Sequence, residues 1–263
     1  MPIDNGVGWG DTTPDKVDGL QKIISQHLAV VKAIYNKKGR QEKSYYFIDC
    51  TSGPGYNANL ELDMSPLIFL KMATGSGVYC KAIFIEERID NYSDLIQNIN
   101  LTPYDSSKIS VSTFNGNFKD VLLKVVSSIP RGSYGIIYFD PTSSLDFDFV
   151  SRVFMHENLS MIDLLVHISA TTMKRLQKPL AEEIKKINKK FWMIRDIYPT
   201  GRDLHQMTFL FGMNWNGLKP MKKHRFYSVD SDKGREILMY LSMPKNEYQE
   251  KAKAQYGNRV WFS

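Results

Sequence analysis

The 263-residue sequence predicts an α/β protein: one mostly parallel sheet with helices on both faces, finished by an antiparallel pair of strands. Three observations predict it. Short apolar runs alternate with amphipathic stretches, the pattern of strands joined by crossover helices. Four of those runs end on an acid or amide, three of them shortly before glycine or proline, as strand ends over a binding crevice do. The last two runs, 191–199 and 206–215, are too close together for a crossover helix and must pair antiparallel.

Each element follows from its local pattern. Leu20, Ile23, Ile24, Leu28, Val31 and Ile34 recur at helical spacing, with Pro14 ahead of the first turn and Asp15 and Asp18 near its positive end. "SYYFID" (44–49) is a buried strand. "SPLIFLKMAT" (65–74) is a helix with Ser65 as cap and Pro66 at its first position. A second strand spans 81–87, a helix 90–99, a third strand 108–117, and a helix 118–129. A fourth strand, from 134, ends in Asp140-Pro141, and a fifth spans 161–170. The basic stretch "LAEEIKKINKK" is helical and leads to the final pair, whose loop contains Gly201.

Composition limits the options. Hydrophobic residues make up 43% and charged residues 24% of the chain, ordinary for a globular protein. No apolar run approaches the roughly 20 residues of a membrane span. The first residues lack the basic and apolar regions of a signal peptide, so a cytoplasmic location is expected. Cys50 and Cys80 are too few for a four-ligand zinc site, no histidine has metal spacing, and no metal is expected. Placed at opposite ends of neighbouring parallel strands, the two thiols are expected to stay free. The net charge of +6 is uneven: residues 172–263 hold 19 Lys+Arg against 9 Asp+Glu, while residues 1–171 hold 15 against 19. A basic half beside a near-neutral one suggests a polyanion-facing surface.

The strand ends carry the chemistry. Asp49 is followed by Thr51, Gly53 and Gly55, and glycines let backbone N–H groups approach a ligand closely. Glu86 can accept hydrogen bonds from a ribose diol. The amides of Asn115 and Asn117, either side of Gly116, can read an adenine edge. Asp140-Pro141 ends the fourth strand. Together these indicate a nucleotide-like ligand. A P-loop is absent. The dinucleotide fingerprint fits poorly, because an acid precedes the glycines and Glu86 lies well past the expected roughly 20 residues. A carboxylate at that loop repels pyrophosphate and suits a ligand carrying an ammonium or sulfonium.

"FIDCTSGPG", "FIEER", "FNGNF" and "YFDPTSS" resemble successive motifs of class I S-adenosylmethionine-dependent methyltransferases, over about residues 40–215. "IDCTSGPG" followed by "SPLIFL", with Trp9 and Lys16 upstream, is most similar to the three-Cys-motif partner group. The resemblance implies a Rossmann-like methyltransferase sheet and S-adenosylmethionine as cofactor. Asp49, Thr51, Gly53, Gly55 and Tyr56 would lie by its methionine and ribose portions, Glu86 on the ribose hydroxyls, and Asn115, Gly116 and Asn117 by the adenine. Asp140 and Pro141 match the start of the Asp-Pro-Pro-aromatic motif of amino-group methyltransferases, where the acid and a backbone carbonyl orient the target amine. Thr142 and Ser143 replace the second proline and the aromatic ring, and Thr51 stands where many such enzymes have Phe. Stacking worth roughly 1–3 kcal/mol per base is then lost unless Phe147, Phe149, Trp192 or Trp215 replaces it.

In the C-terminal half, Lys219, Lys222, Lys223 and Arg225 lie near Trp215, Phe226 and Tyr227, a combination suited to phosphates and unpaired bases. The expected organisation is a methyltransferase-like domain over 1–215 with a basic extension, 216–263, packed on it, its end segment docking through Trp261 and Phe262. The expected function is methyl transfer to a base amino group of a nucleic acid. The alternative is a degenerate, cofactor-binding accessory protein that serves a protein partner. A dinucleotide oxidoreductase is a distant third.

Overall fold

The computed structural model describes residues 13–141, 144–170, 172–173, 179–200, 205–216, 218 and 222–242. Thr142, Ser143, Gly201, Lys219, the segment containing Trp9 and the tail containing Trp261 and Phe262 lie outside the described residues. Helix α1 (Thr13–Lys37) precedes β1 (Tyr45–Asp49), a two-residue ribbon β2 (Tyr56–Asn57) and β3 (Leu62–Asp63), and α2 (Ser65–Ser76). Then come β4 (Cys80–Glu86), α3 (Ile89–Leu101), β5 (Ile109–Asn115), α4 (Phe118–Ser128) and β6 (Gly135–Phe139). The second half holds α5 (Phe147–Phe154), β7 (Ile162–Ser169), α6 (Leu180–Lys185), β8 (Phe191–Arg195), β9 (Tyr198–Thr200), β10 (His205–Met213), β11 (Phe226–Ser228) and α7 (Asp232–Ser242).

The main sheet runs β11-β8-β10-β7-β6-β1-β4-β5, with β9 on β10. Strands β5, β4, β1, β6 and β7 pair in parallel, and β10 lies antiparallel between β7 and β8. This is the Rossmann-like sheet that the sequence predicts, with its antiparallel pair in the expected place. The chain order reverses at β1, which pairs with β4 on one side and β6 on the other, and so creates the switch point where such sheets bind ligands.

Two apolar clusters cover the two faces of the sheet. Residues of α1, α2 and α3 pack on one; residues of α4, α5 and α6 pack on the other. The central strands β1 and β6 are buried throughout, which explains their continuous apolar sequence. Helix α1 docks through a polar cluster as well as apolar contacts. His27 bridges the Tyr45 hydroxyl (2.9 Å) and Asp163 (2.9 Å), and the Trp215 indole N–H donates to Asp163 at 2.9 and 3.0 Å. Burial raises the Asp163 carboxyl, and His27 works against that rise. Every polar end of this cluster is partnered, so it fixes how α1 sits on the sheet.

Several local expectations change. Met64, without a side-chain cap bond, is the residue before α2, so Ser65 is already helical and Pro66 is second. The basic stretch after 179 forms only the short α6; Lys189 folds inward instead, with its ammonium on the carbonyls of Ile162 (2.5 Å) and Leu159 (3.3 Å). The run 191–199 falls in two strands, β8 and β9, because pairing with β10 is interrupted at Asp196 and Ile197. Helices α5 and α7, the β2–β3 ribbon and the edge strand β11 were not anticipated. Cys50 and Cys80 are buried and free, as expected.

Gly135 shows how tightly the central strands meet. A Cβ built there would lie 2.1 Å from the Tyr46 carbonyl oxygen on the neighbouring strand, with backbone rather than flexible side chain in the way. Gly135→Ala should therefore destabilise the fold by about 3 kcal/mol, the upper end of ordinary overpacking costs, measured by denaturant unfolding. Gly75→Ala, where nothing lies within 4 Å, should cost nothing measurable.

Candidate active site

The site is built at the carboxyl edge of the sheet, where β1, β4, β5, β6 and β7 all end. Asp49 terminates β1 with no solvent exposure. Its Oδ1 accepts the Thr51 N–H at 3.1 Å, while its Oδ2 is buried with no hydrogen-bond partner among the described residues. Burial pushes the Asp49 carboxyl up to about 7; the Ser65 side chain, the Thr51 N–H and Lys16 oppose the shift, and Asp140 adds to it. A buried orphan carboxylate oxygen is costly. The loop that follows Asp49 turns on Gly53 (φ 60°) and Gly55 (φ 79°), both left-handed. At Gly53 a Cβ would meet nothing within 4 Å, so the loop leaves open space next to its backbone. Tyr56, half-buried, follows on β2.

Glu86 ends β4 and holds that loop. Its Oε2 accepts the Gly53 N–H at 2.8 Å, and its Oε1 accepts the Arg88 N–H at 2.9 Å and the Asn91 amide at 3.5 Å, so the acid fixes the glycine turn and keeps a lone pair on Oε2. The Asn-Gly-Asn segment is more structural than its sequence suggests. The Asn115 amide donates to the carbonyls of Glu86 (2.9 Å) and Glu87 (3.1 Å), the Gly116 N–H donates to Glu86 O (3.0 Å), and Asn117 caps α4 through the Lys119 N–H (2.9 Å). These bonds spend the Asn115 amide on joining β4 to β5 and the Asn117 side chain on the start of α4.

Asp140 follows β6 and is the most heavily partnered residue of the edge. Its N–H donates to Thr51 Oγ1 at 2.9 Å, tying it to the glycine loop. Its Oδ1 meets His167 Nδ1 at 2.7 Å, and its Oδ2 takes the Lys16 ammonium from α1. Burial alone would raise this carboxyl, but Lys16 and His167 hold it well below the usual carboxylate range. Burial lowers His167, against the pull of Asp140. A neutral imidazole beside an ionised acid carries its proton on Nδ1, so Nε2 accepts from the Tyr198 hydroxyl at 2.6 Å. The Arg195 guanidinium sits 4.7 Å over the Tyr198 ring and donates to the Asp15 carbonyl at 2.9 Å. Four strands and α1 thus contribute to one buried polar chain. Of its members, sequence reasoning found Asp140 and noted Lys16. It missed His167, Tyr198 and Arg195, which lie inside apolar strand patterns and carry no motif.

Beyond Pro141 a shallow pocket opens between the loop to α5 and the end of β7, lined by Ser144, Leu145, Phe147, Ser169 and Met173. The aromatics expected to replace the missing ring do not line open space. Phe149, Trp192 and Trp215 are buried, and Phe147 contributes to the pocket wall while only 6% exposed. Phe226 is also fully buried, which removes it from the basic segment's exposed surface. Lys222, Lys223 and Arg225 are exposed, on a 3-10 turn that ends at Arg225 in a left-handed conformation (φ 62°). Because Phe226 pairs with Arg195, the carboxyl end of β8, this turn lies on the same edge of the sheet as Asp140. Four strand spacings separate β11 from β6, roughly 19 Å along the edge. Among the described residues no group of three or more His, Cys, Asp or Glu could hold a metal ion, and no helix is long and apolar enough to cross a membrane.

No family model matches the chain, and no curated protein does. Solved structures do. The chain is similar to a human methyltransferase 10 domain containing protein (11% identity, 82% of this chain and 88% of that chain, TM-score 0.45). It is similar to a SAM-dependent methyltransferase from Agrobacterium tumefaciens (10% identity, 80% and 64%, TM-score 0.45). It is also similar to the hMettl16 catalytic domain solved in complex with the MAT2A 3'UTR hairpin 1 (14% identity, 73% and 71%, TM-score 0.41). All three identities are below 15% and all three TM-scores below 0.5, so function rests on the site itself.

Asp49 gives the site a pH signature. Its folded-state value near 7 stands above the ordinary 3.8, so the folded chain keeps a proton there that the unfolded chain loses. That contribution to stability is full below 3.8 and disappears as pH rises to about 7. Asp49→Asn should therefore raise the melting temperature at pH 8 and leave it nearly unchanged at pH 4, read by thermal unfolding.

Proposed function

We propose that the chain is an S-adenosylmethionine-dependent methyltransferase acting on nucleic acid, with a base amino group as acceptor. One observation carries the reading: a fully buried carboxylate, Asp49, with an unpartnered oxygen beside an open glycine loop at the switch point of the sheet. An anionic, orphaned oxygen fits a cationic ligand and opposes a pyrophosphate. S-adenosylmethionine supplies, when bound, a methyl group already activated on a sulfonium. The residues at the edge fit that group. Asp49 and the backbone around Gly53 and Gly55 would hold its cationic, amino-acid end, Glu86 its ribose, and the Asn115–Asn117 rim its base. Thr51 links this half to the other by accepting the Asp140 N–H. Asp140 and the Pro141 region would orient the acceptor amine, work that is positioning more than acid–base catalysis. The motif spacing remains most similar to that of the three-Cys-motif partner group.

The exposed Lys222, Lys223 and Arg225 support a polyanionic substrate, since they share the edge with Asp140 at a distance a nucleic-acid strand spans. A second reading, a cofactor-binding accessory protein, draws on a different observation. Both Asp140 oxygens are already engaged, and none of the four expected aromatics is free to stack.

Calorimetric titration with S-adenosylmethionine and S-adenosylhomocysteine, with NAD as control, tests the first step. Micromolar binding of a sulfur ligand is expected, weakened tenfold or more by Asp49→Asn and tighter at pH 8 than at pH 6, where Asp49 is mostly protonated. NAD binding without either sulfur ligand would overturn the reading. For the second step, replacing Lys222, Lys223 and Arg225 by Ala should lower the slope of log affinity for a single-stranded oligonucleotide against log salt by about 2. An unchanged slope removes that turn from the interface. With a methyl-accepting nucleic acid in hand, Asp140→Ala should abolish turnover while cofactor affinity stays within a few-fold.

A further inference from the structure

The Lys16–Asp140 pair is unlike the other lysine–carboxylate ion pairs of the described residues. Its side chains are 15% and 17% exposed, whereas in each of the others at least one partner is more than a third exposed. It also joins residues 124 positions apart. The first turn of α1 is held against the site from a second direction, by the Arg195 guanidinium on the Asp15 carbonyl. Gly19 makes that approach possible, since a Cβ there would lie 2.7 Å from Arg195 Nη1. His167, backed by Tyr198, fixes Asp140 Oδ1, which leaves Oδ2 as the oxygen free of that histidine. What occupies it is a primary ammonium. His167, which fixes the acid from that side, also lines the pocket past Pro141, a small cavity of about 10 Å³.

We propose that Asp140 Oδ2 is a preformed amine-binding subsite, aimed by His167 and Tyr198, and that Lys16 is its internal occupant, which an incoming primary amine or exocyclic amino group displaces. This deepens the proposed function by assigning Lys16 as an intramolecular competitor of the acceptor and His167 and Tyr198 as positioning residues. Lys16 keeps a buried acid satisfied while no acceptor is present, at the cost of competing with it. Lys16 lies in the first turn of the helix, one residue from the Asp15 carbonyl that Arg195 holds.

Chemical rescue tests this without cofactor or nucleic acid. Lys16→Ala leaves Asp140 with one partner in a buried place and should lower the melting temperature. Methylammonium at about 100 mM should then restore several degrees of that loss beyond what equal sodium chloride does. Tetramethylammonium, which has no N–H to donate, should restore none, and wild type should not respond. Lys16→Met serves if the alanine variant folds poorly. Rescue should vanish in Lys16→Ala/Asp140→Asn. It should weaken at least fivefold in Lys16→Ala/His167→Asn and Lys16→Ala/Tyr198→Phe, with the fold checked by circular dichroism. No rescue, or equal rescue by tetramethylammonium, would overturn the subsite; full rescue without His167 would overturn its positioning role. Either result is separate from cofactor binding, so a failure here leaves the calorimetric result standing, and the reverse.

Discussion

A buried carboxylate must be compensated, and the way Asp140 is compensated organises this edge of the molecule. Charge on an acid so little exposed costs several kcal/mol unless cations and hydrogen-bond donors surround it. The chain supplies one from α1 (Lys16), one from β7 (His167) and, behind that, one from β9 (Tyr198), while the backbone N–H of Asp140 is spent on Thr51. Each partner comes from a different element, so satisfying one acid fixes the relative placement of the N-terminal helix, the glycine loop and the second half of the sheet.

Asp49 is the counterpart. It lies one strand away, is more deeply buried, and is left with an oxygen unmatched. The same interior therefore contains one acid held strongly ionised and one raised to about 7, the divergence that environment imposes on neighbouring carboxylates with different partners. The matched acid is fixed within the protein; the unmatched one is where a cationic ligand gains most. Thr51 bridges them, since its N–H donates to Asp49 and its hydroxyl accepts from Asp140.

On the opposite edge, the His27–Asp163–Tyr45–Trp215 cluster does comparable work without any sign of chemistry. All of its polar groups are satisfied internally, and it sits at the amino ends of β1 and β7, away from the crevice. Two clusters of histidine and aspartate in one domain thus divide by position: one anchors α1 to the sheet, and the other borders the open loop.

The sequence by itself determined the five parallel strands, the antiparallel pair and the residues at the strand ends, because period and punctuation are local properties of the chain. Asp49, Gly53, Gly55, Glu86 and Asp140 were legible for that reason: each closes an apolar run or punctuates the loop that follows one. Tertiary structure alone decided what each of them does. It spent Asn115 on joining strands and Asn117 on capping α4, and buried Phe149, Trp192, Trp215 and Phe226, which the sequence offered as stacking rings. It also brought Lys16 across 124 positions onto Asp140, and His167 and Tyr198 behind it. Those partners were invisible in sequence because a histidine or tyrosine within an apolar strand has the same local pattern whether it packs in the core or aims an acid. Only the register of β6 on β7, and of β7 and β9 on β10, sets their ends side by side.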